Sequence, residues 1–270
     1  MKKIVIKKSK LQQIIFIFLS FLLANCSSED SNTPQSTFAV QLEASSNNIA
    51  VDEPFTVNLS ANEEITEAWI SKNNFATGSY VDFNFGTNYN YYFNFDDIGP
   101  HTISVRARNK DNVTIEKSIN VNVVRGNAIK INGIQVVTFN GINTVFDPEY
   151  PASNPESLAD VVFGLSKPLI GLPYENVYTF KPWYRSEVLQ NQGNLTWNCS
   201  SANLYLKPEL SLYFGLADAD GPNVGQDLTY SAGDYVEIGF LNYLATKPTT
   251  ITYTFPAANL EFKVFVEWPN

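Results

Sequence analysis

From Phe38 to Val124 apolar and polar positions alternate with the period of a strand that buries one face. Phe38-Val40-Leu42 and Phe55-Val57-Leu59 alternate, and Glu67-Ala68-Trp69-Ile70 is a short apolar run that predicts Trp69 in the core. Tyr80 to Phe85 and Tyr91 to Phe95 predict two strands joined by a turn at Gly86-Thr87-Asn88. Ile103-Val105-Ala107 and Ile115-Ile119-Val121-Val123 flank Asn109-Lys110-Asp111-Asn112, a polar hairpin loop. Six or seven short strands with regular turns make this a sandwich over 38–125. Arg125-Gly126-Asn127 breaks the pattern, which resumes over 127–270. Here Ile129-Ile131, Ile134-Val136, Asp160 to Leu165, Leu204-Tyr205-Leu206, Leu210 to Leu216, Tyr235 to Phe240, Ile251 to Phe255 and Leu260 to Val266 alternate between Pro-, Asn- and Gly-rich loops. No amphipathic helix interrupts them. The chain is therefore predicted to be all-β, with two β-sandwich domains.

Composition agrees, since Phe (19) and Tyr (14) are abundant and suit a half-buried pleated surface, whereas Met occurs once. At the N-terminus the pattern is different. Lys2, Lys3, Lys7, Lys8 and Lys10 precede an apolar segment from Leu11 to Leu23, which small residues close before Cys26. A basic region, a short apolar region and a small-residue cleavage site predict a secretory signal peptide over 1–25. The segment is too short, and too interrupted by Gln12 and Gln13, for the roughly 20 residues of a membrane span. Ser27 to Thr37 is polar and aperiodic, so 26–37 is expected to be a flexible tether. Removing the five lysines leaves 13 cations against 27 acids, a mature charge of −14. Such acidity argues against nucleic acid or anionic lipid as a partner through charge attraction.

Leu22-Leu23-Ala24-Asn25-Cys26 resembles the lipobox of bacterial lipoproteins, with Asn25 where that pattern prefers Gly or Ala. The resemblance implies a lipid anchor on Cys26, an outer-membrane location and no contact with the membrane beyond the lipid. Ser27-Ser28-Glu29-Asp30 resembles the acidic signal that sends Bacteroidetes lipoproteins to the cell surface. Asp97-Ile98-Gly99-Pro100-His101-Thr102-Ile103-Ser104-Val105, followed by Ile119-Asn120-Val121-Asn122-Val123, resembles the closing strands of PKD-like and Ig-like modules. The WxFGDG signature of true PKD domains is missing.

In the second sandwich Asp160-Val161-Val162-Phe163, Leu195-Thr196-Trp197-Asn198 and the strand into Asp218-Ala219-Asp220-Gly221 follow one another in an order that resembles C2 domains. A jelly-roll-like sandwich is compatible with the same strands. The C2 resemblance implies a calcium site built from Asp147, Asp160, Asp218, Asp220 and Asp227, because Ca²⁺ takes six to eight oxygens from converging loops. Gln226 stands where that family places its last acid, and Asp218-x-Asp220-Gly221 also reads as an ordinary turn.

Tyr150, Trp183 and Tyr184 lie on loops and are candidates for stacking on sugars, or else pack in the rim of the core. Cys199 has no second cysteine if Cys26 is acylated, and is expected to be a buried, inert thiol. His101 is the single histidine, which argues against Ser-His-Asp and zinc-dependent hydrolases. There is no GxSxG, HExxH or phosphate-cradling loop. The expected function is a non-catalytic binding or adhesion module, recognising an extracellular polysaccharide or a ligand held through a divalent cation. The alternatives are a structural accessory subunit gripping an outer-membrane protein partner, and a carboxylate-dependent hydrolase.

Overall fold

The structure, a computed structural model, describes residues 37–76, 80–169, 180–221, 225–229 and 235–269, with backbone alone at 80–85. The expected signal peptide and Cys26 lie outside the described residues, as does the expected tether up to residue 36. Phe38–Asn270 is one compact unit, and two apolar clusters sit inside it.

The first cluster is enclosed by strands β1 (Val40–Ala44), β2 (Asn48–Ala50), β3 (Phe55–Ser71), β4 (Tyr80–Phe93), β5 (Gly99–Asn109) and β6 (Thr114–Val124). Two of them are long, and each serves two sets of partners. The first half of β3 pairs with β1 and with residues 88–93 of β4, while its second half pairs with β5 and residues 80–86 of β4. β2 runs parallel to the end of β6. Val57, Leu59 and Phe93 thus share one cluster with Ile103, Val105 and Val121. The expected turn at Gly86 is instead a point where β4 carries on into its second set of partners, with Gly86 at φ +64. A positive φ costs glycine little, so the strand bends there without breaking.

Trp69 also departs from expectation. Phe55, Val57, Leu59 and Ile65 point inward, but the ladder shifts register between Ile65 and Glu67. One extra residue exchanges the two faces of a strand. Beyond the shift Ala68 and Ile70 are buried, and Trp69 turns half-exposed to meet the Arg108 guanidinium 5.1 Å from its ring centroid.

The second cluster lies between two antiparallel sheets. One holds β7 (Ile129–Thr138), β10 (Thr196–Asn198), β11 (Leu204–Leu206), β14 (Thr250–Phe255) and β15 (Leu260–Glu267). The other holds β8 (Val161–Pro168), β9 (Phe180–Arg185), β12 (Ser211–Asp218) and β13 (Val236–Gly239), in the order β13-β12-β8-β9. Phe214 stacks on Phe262 from the facing sheet at 4.0 Å, and Trp197 meets Phe163 edge-on at 5.1 Å. Gly133 lets β10 close on β7, since a Cβ there would strike the Trp197 carbonyl. All-β architecture with packed sheets is therefore what the alternation produces.

Two inward-facing series run antiparallel through this core. On β8 it reads Val161, Phe163, Leu165, Lys167, and on β12 Leu212, Phe214, Leu216, Asp218. Each apolar series ends in a buried charge, at opposite ends of the strand pair, about 20 Å apart at the rise of an extended chain. Lys167 meets Asp52 of the first sandwich, and Asp218 meets the loops at the other end.

Candidate metal centre

Asp218 is 2 % exposed because it continues the inward phase of β12. Its Oδ1 accepts the Asp160 backbone N–H at 2.7 Å, and the Ala219 N–H donates to the Asp160 carbonyl at 2.8 Å, tying the end of β12 to the start of β8. Two residues on, Asp220 is exposed. Gly225 donates its N–H to the Asp218 carbonyl at 2.7 Å, and a Cβ at Gly225 would overlap the Asp220 carboxylate. Asp147 arrives from the loop between β7 and β8, anchored by its N–H to the Ser157 carbonyl at 3.2 Å.

These elements bring carboxylate oxygens of Asp147, Asp218 and Asp220 within 4.8 Å of one another, the one such acidic group among the described residues. Asp147 and Asp220 border a cavity of about 490 Å³ whose walls also carry Glu149, Tyr150, Glu156, Asp160 and Asn191. Burial, then the neighbouring Asp220 and Asp147, push the Asp218 carboxyl up, while the Asp160 N–H works against them. Desolvation followed by Glu149, Asp160 and Asp220 also raises Asp147. Negative charge thus accumulates where part of it cannot reach water. The donor set is all oxygen, which suits a hard cation such as Ca²⁺ far better than zinc or copper.

Of the five aspartates the sequence singles out, three converge. Asp160 stands in the cavity wall, with Oδ1 accepting the Asn191 N–H at 2.9 Å. Asp227 is elsewhere: its carboxylate caps the Thr229 N–H at 2.8 Å and the Thr229 hydroxyl, and its backbone bridges to Ala217 beside β12. A local cap of this kind accounts for the carboxylate at that spacing. Glu149 and Glu156 were not singled out, although the acid-rich stretch from Asp147 to Asp160 holds them both.

Tyr150 is exposed on the cavity wall. Trp183 and Tyr184, by contrast, are half-buried against the core. The Trp183 ring lies 4.3 Å from Lys167 Nζ. Tyr184 packs on Phe163 and hydrogen-bonds Cys199, and burial first, then that bond, pushes its hydroxyl up to about 12. Cys199 is 1 % exposed and its thiol is pushed up by burial. His101 stacks on Phe95 at 4.0 Å, with Nε2 3.2 Å from the Asp97 carbonyl. It is bound into the first sandwich, whereas Cys199 lies in the core of the second.

No protein-family model matches the chain, and no curated protein does. Among solved structures the chain is similar to the fibronectin(III)-like modules of Clostridium thermocellum CbhA, at 9 % identity and a TM-score of 0.27 over 74 % of this chain and 93 % of that one. A similarity at that score carries no argument, so the architecture rests on the sheets themselves.

Proposed function

We propose that the chain is a non-catalytic binding module of the cell envelope, anchored by lipid on Cys26 and directed to the cell surface, which engages its ligand through a calcium ion held by Asp147, Asp218 and Asp220. The observation that carries this reading is the convergence of three carboxylates from two loops, one of them buried at the end of a core strand. Like charges so placed repel, and a divalent cation relieves that repulsion while taking oxygens at about 2.3–2.6 Å. Three carboxylates leave coordination positions to backbone carbonyls, water and a ligand oxygen, and the exposed Asp220 lies on the open side. The site is at the end of the second sandwich remote from Lys167 and the first sandwich, so the first acts as a spacer. The basic start, the apolar run and Cys26 support the anchor. The buried Cys199 and the stacked His101 support a binding rather than a turnover role.

The test is thermal unfolding of the chain from residue 27 onward in EDTA and in millimolar Ca²⁺. Calcium at a hundredfold excess over its Kd stabilises the folded state by about 2.7 kcal/mol, several degrees in melting temperature. Asp220→Asn should remove most of that gain. Identical melting in EDTA and calcium overturns the reading. Membrane fractionation of Cys26→Ala tests the anchor separately, and a variant that still sediments with membranes refutes it.

A further inference from the structure

The outer face of the four-stranded sheet carries a second concavity, independent of the cation reading. Outward residues of β8 and β12 stand opposite one another as Val162 with Ala217, Gly164 with Gly215, and Ser166 with Tyr213. Two cross-strand glycines in mid-sheet are unusual, because each costs about 0.5–1 kcal/mol relative to alanine. Neither has a positive φ. A Cβ on Gly164 would meet nothing closer than the Tyr184 carbonyl at 3.8 Å. Backbone conformation and crowding therefore do not call for glycine at 164. Glycine within a strand marks a bulge or a close approach to the backbone, and the β8–β9 ladder shifts register just beyond it, between Leu165 and Ser166.

Above this floor is a groove of about 480 Å³, within the range of small-ligand sites. Pro182, Arg185 and Asp227 stand around it. On the flank of the floor Phe180, Tyr213 and Tyr235 stack across the strands, with ring centroids 3.6 and 4.2 Å apart, and Tyr235 is 48 % exposed. Arg185 is exposed and its guanidinium has no hydrogen-bond or ion-pair partner among the described residues. The groove thus sets an apolar floor, with Arg185 and Asp227 at its rim, beside this aromatic row.

We propose that this groove binds a short stretch of a neutral polysaccharide. A pyranose ring offers apolar C–H faces to the floor and the aromatic flank, with a rim of hydroxyls that both donate and accept. Arg185 supplies donors and Asp227 acceptors, and one charge of each sign favours a polyol over an anionic or cationic ligand. A peptide adding itself as a strand would need a sheet edge, and this is a sheet face. Nucleic acid is disfavoured by the net acidity.

The experiment is binding of the chain from residue 27 onward to an array of neutral oligosaccharides (cello-, xylo-, manno- and maltohexaose) with polygalacturonate alongside. The wild type should retain at least one neutral hexasaccharide. Gly164→Leu, which fills the floor, and Arg185→Ala, which removes the donors, should each weaken it at least tenfold. Melting within a few degrees of wild type checks that Gly164→Leu is folded, and the exposed Arg185→Ala gives a second, independent reading. Asp220→Asn and EDTA should leave this binding unchanged. No retained neutral sugar, polygalacturonate as the sole ligand, or binding that survives both groove variants overturns the proposal. Binding lost in Asp220→Asn but kept in Gly164→Leu places the ligand at the cation site and overturns it as well.

Discussion

Lys167 Nζ donates to Asp52 Oδ1 at 2.8 Å, and both side chains are 1 % exposed. The two residues are 115 positions apart and belong to different sandwiches. The ammonium also donates to the Tyr205 carbonyl at 2.8 Å, and the Lys207 N–H donates to Asp52 Oδ2 at 3.0 Å. Burial pushes the Asp52 carboxyl up and the Lys167 ammonium down, and their mutual attraction works against both shifts. Around this pair Lys181 meets Asp96 at 2.8 Å, and Arg125 donates to the Glu267 carbonyl at 2.7 Å and to its carboxylate. The junction is a polar lock with a buried pair at its centre.

A buried pair of this kind is costly to break from one side. Lys167→Met should destabilise the chain by about 3–5 kcal/mol, because it strands the Asp52 charge. Adding Asp52→Asn should recover most of the loss, since an amide carries no charge and Asn tolerates the φ of +62 at that position. Urea unfolding of the two variants measures both effects. Equal losses in the single and double variants would show that the charge is not what matters.

The acidic group at the other end gives a pH dependence of defined sign. Asp147 and Asp218 have raised values in the folded state, so the folded chain binds protons more tightly than the unfolded one. Their stabilising contribution is complete below the unfolded carboxylate range and is lost as pH rises through the folded values. Without divalent cation, Asp220→Asn should therefore raise the melting temperature at pH 7. The gain should shrink as the pH approaches about 4, where carboxylates protonate. Melting curves in EDTA across that interval check it.

The two faces of β3 and β12 predict unequal costs for aromatic truncation. Phe214→Ala removes a fully buried ring that stacks on Phe262, and should cost about 3–5 kcal/mol. Trp69→Ala removes a larger side chain that is half-exposed, and should cost about 1 kcal/mol through its packing with Arg108. Denaturant midpoints of the two variants decide this order.

Cys199 should resist thiol reagents in the native state. The thiolate is the reactive form, and burial holds the Cys199 thiol up, with the Tyr184 hydrogen bond only partly offsetting it. Mass spectrometry should find no maleimide adduct at Cys199 until the chain is unfolded. Rapid modification of the folded chain would contradict the burial.

Strand alternation could be read along the chain because it is local: residues two apart share a face, and Leu212, Phe214 and Leu216 declare theirs without help from the rest of the molecule. In the folded chain the same phase carries on to Asp218 and Lys167, two charges that point inward. Their partners, Asp147 and Asp52, stand far off in sequence, and loop closure leaves no pattern in composition. The bulge that turns Trp69 outward was equally hidden, because a one-residue slip arises from pairing with β4 and β5 rather than from β3 alone. Asp227, one residue past the place where the C2 resemblance puts its last acid, is claimed by Thr229 two residues away. Which face of each strand meets the core follows from short-range periodicity; which charges meet one another follows from long-range contacts that only the folded chain brings about.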